Sequence, residues 1–170
     1  TYTHEADSDL NILLGASPDI IANKAVLAGR LNFEGFNMGD NPVKASTVMN
    51  GARYEMIRTT AGVEGAFQEI NSVDYLISYG FVSADTKSYL LGFGLSWKEG
   101  GQVDGTGSFT LAKGSVFDVD VALDDQAMPM NGFNSGWNGQ DLTKNGEGEL
   151  ILSTNNGYTG STTINGGTLY

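Results

Sequence analysis

The sequence contains no cysteine, three prolines and one histidine in 170 residues. Without cysteine, disulfides, thiolate catalysis and cysteine-ligated zinc are all excluded. Positive charge is also scarce: nine Lys and Arg stand against 20 Asp and Glu, for a net charge of −11. A polyanion repels phosphate backbones and anionic lipid surfaces, so we expect neither nucleic acid nor such a membrane surface as a partner.

Long apolar runs are missing as well. None of the mostly apolar stretches approaches the roughly 20 residues that a membrane-spanning helix needs. The chain has no recognisable signal peptide and does not begin with Met. We therefore expect a fragment or a processed product without a membrane-spanning segment.

Glycine, in contrast, is abundant, with 24 residues, roughly twice the usual share of about 7 %. Apolar residues alternate with polar or small ones at a period of two, which predicts β-strands. The clearest pair is "VDYLISYGFV" (Val73–Val82) and "SYLLGFGLSW" (Ser88–Trp97), separated by the polar turn "SADTK" (Ser83–Lys87). Two such runs around a short turn predict a β-hairpin. We expect its odd-numbered residues, from Tyr75 to Trp97, to form one bulky face.

A glycine followed by alternating apolar residues recurs along the chain, as in "GELIL" (Gly148–Leu152) and "GTLY" (Gly167–Tyr170). These two glycines are 19 residues apart, near the length of one turn of a β-solenoid. Glycine permits the corner, and the alternating apolar side chains point into the stack. The sequence therefore predicts an all-β fold, a parallel β-helix (β-solenoid) with an embedded hairpin. We interpret the C-terminal run as one coil of a longer array.

Domain organisation is expected to be simple, with residues 1–170 as a single unit. The glycine-rich segment 98–107 is the best internal seam, or equally a long solenoid loop. In "SPDIIANKAVLAG" (Ser17–Gly29), Ser17 and Pro18 are helix-start signals. The residues that follow continue an alternating pattern, so strands are favoured there over a short helix.

Residues able to carry chemistry are few and scattered. His4 has no second histidine or cysteine for zinc and no nucleophile motif for a triad. Asp118, Asp120, Asp124 and Asp125 form an acidic cluster of the kind that suits calcium. Asp118 and Asp120 alternate with apolar residues, however, and are expected on a solvated outer strand face. We expect no catalytic, cofactor-binding or metal site, and no cofactor.

The C-terminal part, "GWNGQDLTKNGEGELILSTNNGYTGSTTINGGTL" (Gly136–Leu169), resembles the autotransporter-associated β-strand repeat of Gram-negative surface proteins such as the AIDA-like adhesins. One departure is Gly157 directly before Tyr158, where the usual form is "NTYTG". A second block, "YEMIRTTAGVEGAFQEI" (Tyr54–Ile70), is similar to a segment that often lies late in such passengers. The positions matching the repeat are Trp137, Gly139, Leu142, Thr143, Lys144, Gly146, Gly148, Leu150, Leu152, Tyr158, Thr159, Gly160, Thr162, Ile164, Gly167 and Leu169.

This resemblance implies a passenger domain of type V secretion, a right-handed parallel β-helix. Such a domain is exported through its own outer-membrane β-barrel translocator and displayed outside a Gram-negative cell, or released from it. Within the repeat, it implies an inner stack of Leu150, Leu152, Ile164 and Leu169, corners at Gly160 and Gly167, and turns where Asn155, Asn156 and Asn165 stack into ladders.

Three functions are compatible with these patterns. The first is a non-catalytic surface module in adhesion, aggregation or virulence, which binds host or neighbouring-cell molecules or copies of itself. The second is an autochaperone segment that nucleates or caps passenger folding; the bulky hairpin favours it, whereas the repeat that follows the hairpin argues against it. The third, a β-helical enzyme acting on polysaccharide, is the least favoured because no motif selects a pair of acids.

Overall fold

The computed structural model describes residues 1–98 and 104–170. They form an all-β fold with one short helix, as the alternation predicts. The elements in chain order are β1 (Tyr2–Thr3), β2 (Asp9–Gly15), β3 (Ile20–Leu27), β4 (Arg30–Asn37), β5 (Val43–Lys44), α1 (Ala45–Met49), β6 (Arg53–Gly65), β7 (Glu69–Asn71), β8 (Leu76–Val82), β9 (Ser88–Leu95), β10 (Ser108–Thr110), β11 (Val116–Val119), β12 (Leu142–Asn145), β13 (Glu149–Leu152), β14 (Thr162–Ile164) and β15 (Thr168–Leu169).

The strands of the described residues build four sheets. In the first, of order β1-β3-β6-β9-β8, the strands β1, β3 and β6 are parallel and β9 runs antiparallel to both of its neighbours. The second (β2-β4-β7), the third (β5-β11-β13-β15) and the fourth (β10-β12-β14) are parallel throughout. From β10 to β15 the chain alternates strictly between the fourth and the third sheet. The sheets are small and the first is mixed, so parallel pairing covers most of the fold but not all of it.

Parallel pairing stacks chemically similar residues in register. In the second sheet, "DLN" (Asp9–Asn11), "RLN" (Arg30–Asn32) and "EIN" (Glu69–Asn71) are neighbours. Successive side chains of a strand point to opposite faces, so the central residue of each triplet faces the core while its Asn faces outward. Leu31, the central residue of the middle triplet, is fully buried. Each added strand therefore extends both the apolar interior and the polar exterior.

The predicted hairpin is present as β8 and β9, but the prediction of one bulky face is wrong. The register places Gly80 opposite Leu91 and Tyr79 opposite Gly92. Directly paired residues of antiparallel strands share a face, so the bulky side chains of the two strands lie on opposite faces. Turn geometry fixes this register, and the alternation within each strand carries no information about it.

The two faces of the hairpin differ in burial. Bulky β9 residues, such as Tyr89 and Phe93, are buried in the core. On the other face Tyr79 is 46 % exposed and Phe81 is 36 % exposed. A Cβ at Gly80 would overlap the Tyr89 hydroxyl, so the absence of a side chain there makes room for the tyrosine.

The segment Ser17–Gly29 forms strand β3, which confirms the preference for a strand over a helix. Helix α1, five residues long, was not predicted. Its N-cap residue, Lys44, makes no capping hydrogen bond through its side chain. Half of the predicted seam at 98–107, residues 99–103, lies outside the described residues.

The repeat-like C-terminal part follows the predicted inside-outside pattern. Leu150 is fully buried, and Leu152 and Leu169 are partly buried against the core. Ile164 is in register with the buried Lys144, on the inner face, yet it is 53 % exposed. It differs from the prediction because β14 is the edge strand of the fourth sheet, with no further strand of the described residues paired beyond it. Gly167 has a φ of +66° and forms the corner that its sequence context predicts.

Candidate functional site

His4 has a structural environment. It is 8 % exposed and lies in the turn between β1 and β2. Its Nε2 is 3.2 Å from both the carbonyl oxygen and the hydroxyl of Ser8, and its ring packs on Phe67 at 5.4 Å. The Ser8 hydroxyl itself donates to the Glu5 carbonyl at 2.8 Å. These contacts hold the turn between β1 and β2 together, so the His4 imidazole has a structural role.

Within the acidic cluster, Asp118 is buried and Asp120 half-buried, contrary to the expectation of a solvated strand face, whereas Asp124 and Asp125 are exposed. Asp118 is buried at 6 % exposure and accepts a hydrogen bond from the Ser153 hydroxyl at 2.5 Å. Asp120 accepts two hydrogen bonds from Ser46, one from its backbone N–H at 2.8 Å and one from its hydroxyl. Both carboxylates point at partners from other segments, which strand alternation alone does not indicate.

The arrangement at Asp120 recurs at two further places. Asp74 accepts from the backbone N–H of Thr110 at 2.8 Å and from its hydroxyl at 2.6 Å. Asp125 accepts from the same two groups of Thr159, both at 2.7 Å. We call these three pairs the carboxylate clamps. They join residues 74, 36 and 34 positions apart in the chain.

The clamps differ electrostatically. Burial raises the pKa of Asp74 above its ordinary value and outweighs the hydrogen bonds from Thr110. Hydrogen bonds from Thr159 lower the pKa of Asp125, which is in contact with solvent. At Asp120 burial acts to raise the pKa, but the hydrogen bonds from Ser46 prevail and the pKa is lowered. The same fork of donors therefore holds three carboxylates of unlike acidity.

Stacked asparagines form the ladder that the resemblance implies, although mostly at other positions. Asn165 donates to the Oδ1 of Asn145 at 2.9 Å, as predicted for Asn165. Asn156 instead accepts from the backbone N–H of Leu123 at 2.9 Å. A three-residue ladder was missed: Asn71 donates to Asn32 at 2.9 Å, and Asn32 donates to Asn11 at 2.7 Å. The recurring "LN", "LN", "IN" pairs were a sequence signal for it.

Lys144 is fully buried, which its place in the repeat pattern did not reveal. Its Nζ donates to the carbonyl oxygens of Asn145 at 2.7 Å, Gly146 at 2.9 Å and Gly166 at 3.0 Å. All three ammonium protons thus have acceptors. Burial lowers the pKa of Lys144, and the hydrogen-bonded carbonyls replace the water that the cation has lost.

Two surface depressions have the size of ligand sites. An acidic cleft of about 500 Å³ lies between the Asp74–Thr110 clamp and the turn at Gly146, with Glu34, Glu147 and Lys113 among its walls. The second lies at Arg53 and Tyr54, where a cleft of about 440 Å³ shares Tyr54 with a cleft of about 310 Å³ and Arg53 with a cleft of about 220 Å³.

Within residues 1–98 and 104–170, no group of three or more His, Asp or Glu side chains is arranged to hold a metal ion. The same part of the chain contains no helix with the length and apolar character needed to cross a bilayer. The chemistry that the described residues do offer is hydrogen bonding between segments and side-chain recognition in the clefts.

Residues 142–170 match the family model described as the passenger-associated-transport-repeat. This range contains β12 to β15 together with Lys144 and its three carbonyl partners. The recognition of an autotransporter passenger repeat in Gly136–Leu169 is thereby confirmed. A search of curated proteins finds no match.

Proposed function

Because residues 142–170 carry an autotransporter passenger repeat, we propose that the chain is a non-catalytic, β-helical segment of a passenger displayed outside a Gram-negative cell. The family assignment makes the passenger's own outer-membrane translocator its partner during export. The segment then serves as a surface module in adhesion or aggregation.

One observation carries the proposal: the repeat coincides with strands stacked in parallel register. Leu142 lies beside Thr162 in the fourth sheet, and Leu150 lies beside Leu169 in the third. Matching residues are about 20 positions apart, as for the Asn145–Asn165 pair. A solenoid is built from such short units, each of which needs a neighbour to bury its inner face.

The use of the carboxylates favours a non-catalytic role. Asp74, Asp120 and Asp125 hold Ser or Thr partners in the clamps. A glycosidase needs two carboxylates free to face a sugar about 5 to 10 Å apart. Acids that already accept hydrogen bonds from the protein's own Ser or Thr residues are poor candidates for that chemistry.

Display can be tested in intact cells of the parent organism. A short epitope inserted beside Met130, which is 101 % exposed, should leave the fold in place. We expect antibody to label intact cells and protease added outside to remove the label. The same epitope on a periplasmic protein of these cells is the control, and it should be labelled only after permeabilisation. Labelling of the passenger only after permeabilisation would overturn display.

A second candidate function is assistance to folding, and the hairpin favours it. The antiparallel pairing of β6 with β9 ends the parallel part of the first sheet, as a cap would. An adjacent passenger segment should then refold faster when this chain is added, as measured by circular dichroism and protease resistance. An unrelated acidic protein at equal concentration is the control, and an unchanged refolding rate argues against the autochaperone.

A further inference from the structure

Strand β8 lies at the end of the first sheet, and no described strand pairs with its second edge. At the hairpin turn the Ser83 N–H donates to the Ser88 carbonyl at 2.8 Å, which makes this a hydrogen-bonded pair. Hydrogen-bonded and non-hydrogen-bonded pairs alternate along an antiparallel ladder, so the odd-numbered residues of β8 bond to β9. The backbone N–H and C=O groups of Ser78, Gly80 and Val82 therefore point away from β9, toward the open edge.

The sequence of β8, "LISYGFV", has none of the features that protect most edge strands. It contains no charged residue and no proline, and its seven residues pair with β9 without a bulge. Natural edge strands are usually shielded by charge, proline, a bulge or short length. The edge strand of equal length, β2, carries Asp9. Among the edge strands of the described residues, β8 is thus the longest without charge, and it is open to a further strand.

The side chains beside the open edge are aromatic. Tyr79 and Phe81 are both exposed. They lie on the face of the first sheet opposite to the buried Tyr89, and the Arg53 guanidinium carbon is 4.8 Å from the centroid of the Phe81 ring. Side chains of an added strand would pack against these two rings as cross-strand neighbours. The edge therefore favours a strand whose own residues at these positions are apolar or aromatic.

The backbone groups at the edge determine what kind of partner fits. Donors and acceptors that alternate along a strand are matched by another extended chain, which is the basis of strand addition to a sheet. In an antiparallel arrangement with two-fold symmetry about Gly80, Gly80 pairs with its counterpart, and Ser78 pairs with Val82 of the second copy. Each hydrogen-bonded pair contributes two hydrogen bonds. Tyr79 then lies beside Phe81 of the second copy, so both rings gain an aromatic neighbour.

Charge favours a second copy of β8 over a strand of another composition. The chain has a net charge of −11, so two copies repel each other wherever their acidic surfaces meet. Asp74 and Asp85, the nearest acids along the chain, lie outside β8 and accept hydrogen bonds from their own chain. Pairing of two β8 strands therefore buries no charge, whereas a charged strand would lose hydration against the two rings. Because the pairing is symmetric, one edge serves both copies and association stops at a dimer.

We propose that β8 is a self-association edge, at which two copies of the chain pair as antiparallel strands and join their first sheets into one. This deepens the aggregation part of the proposed function by naming the surface and the partner. It rests on that function only for the meeting of copies outside the cell, because the edge itself can be tested in solution.

The test is analytical ultracentrifugation of the purified full chain over a range of concentrations. We expect a monomer–dimer equilibrium, and added salt should strengthen it because salt screens the repulsion between two acidic chains. Dissociation on adding salt would contradict the proposal, since it would indicate that opposite charges hold the copies together. A chain that stays monomeric up to about 1 mM would overturn it, because weaker association contributes little free energy.

Val82→Pro removes one N–H from the open edge and leaves the hydrogen bonds between β8 and β9 in place. Proline is tolerated in an edge strand where the N–H faces away from the sheet. Two-fold symmetry doubles the loss, so the dissociation constant of the dimer should rise about tenfold or more. Val82→Ala is the matched control, because it shortens the same side chain but keeps the N–H, and it should retain the dimer. Equal dissociation constants for Val82→Pro and the unsubstituted chain would overturn the pairing.

Tyr79→Lys places a charge beside the open edge and should also abolish the dimer. Its matched control is Ile21→Lys, because Ile21 is exposed on the same face of the first sheet, three strands away from β8. Ile21→Lys should leave the dimer intact. If it abolishes the dimer as well, the copies associate through the sheet face and the edge pairing is wrong. If Val82→Pro lowers the melting temperature of the monomer, the two lysine variants decide the question.

Hydrogen exchange of single amides gives an independent readout. The amide of Tyr79 bonds to β9 in the monomer and should be protected at every concentration. The amides of Gly80 and Val82 should become protected only at concentrations where the dimer forms. Equal exchange of these two amides at low and high concentration would contradict the edge as the site of contact.

The outcome is distinguishable from a failure of the display proposal. Epitope labelling of intact cells reports display without any association between copies. Ultracentrifugation reports the edge without any cell. A displayed chain that stays monomeric in solution removes the self-association proposal alone.

Discussion

The side-chain ammonium of Lys144 donates a hydrogen bond to the backbone carbonyl of Gly166, 22 residues later in the chain, at 3.0 Å. With the carbonyls of Asn145 and Gly146 it completes a set of three acceptors. Lys144→Met leaves these carbonyls without their donor and should lower the free energy of unfolding by about 2 kcal/mol or more. Urea denaturation followed by circular dichroism measures the change.

The matched control is Lys113→Met, because Lys113 is exposed. A surface substitution of this kind should shift the free energy of unfolding by no more than about 0.5 kcal/mol. Equal effects of the two substitutions would mean that the three carbonyls do not need the ammonium.

Helix α1 is capped by a residue 74 positions away. Asp120 accepts from the backbone N–H of Ser46, in the first turn, where the N-cap residue itself provides no acceptor. Asp120→Ala should therefore cost about 1 kcal/mol, the usual effect of losing a helix cap. Asp124→Ala is the control from the same acidic cluster. The Asp124 side chain is exposed, and its Oδ2 is 3.7 Å from Lys98 Nζ. Its removal should lower the free energy of unfolding by less than Asp120→Ala does. Chemical denaturation measures the free energy of unfolding of both variants. A larger loss for Asp120→Ala supports the clamp, whereas equal losses would mean that only the removal of a negative charge matters.

Two carboxylate clamps should respond to pH with opposite signs. The pKa of Asp125 is lower in the folded protein than in the unfolded chain, so its stabilising effect is present at neutral pH and fades as pH falls through the folded pKa. The pKa of Asp74 is raised, so the folded state gains relative stability as pH falls through that pKa.

The comparison uses Asp125→Asn and Asp74→Asn, melted at about pH 7 and about pH 3 to span the carboxylate range. Relative to the unsubstituted chain, Asp125→Asn should show its larger loss of melting temperature at the higher pH. Asp74→Asn should show its larger loss at the lower pH. The same trend for both variants would contradict the difference in burial between the two clamps.

Glycine at position 80 is required by packing and not by backbone conformation. A Cβ there would overlap the Tyr89 hydroxyl and come within 2.7 Å of Ile70 Cδ1. Gly80→Ala should cost about 1 to 3 kcal/mol, as overpacking of a core does. Gly15→Ala is the control, since its Cβ would make ordinary contacts no closer than 3.5 Å. Thermal melts that rank the two variants equally would show that the hairpin can shift to admit the methyl group.

The sequence predicts the strands well because alternation is a local property. Val73–Val82 and Ser88–Trp97 contain β8 and β9, and Gly148–Leu152 contains β13. Strand β3 likewise follows from the alternating residues of Ser17–Gly29. Each of these patterns can be read within ten or so residues, without knowledge of a partner.

The groups that hold the fold together depend on partners far along the chain. Asp120 alternates with apolar residues as an exposed residue would, and its partner Ser46 carries no mark in the sequence. The burial of Lys144 depends on the carbonyl of Gly166, and backbone carbonyls are present at every residue. The prediction of one bulky hairpin face is wrong for a related reason, because the turn sets the pairing of Gly80 with Leu91. Register and long-range hydrogen bonds are therefore the parts that single-strand patterns do not encode.

The carboxylate clamps have a mechanical consequence for a chain without cysteine. Each clamp is a reversible cross-link that needs no oxidant, and the three close loops of 74, 36 and 34 residues. Under tension, a loop releases its contour length only after its clamp has opened, so extension should proceed in discrete steps. Because carboxylates and hydroxyls re-form their hydrogen bonds without chemistry, the same steps should reverse when the load is removed.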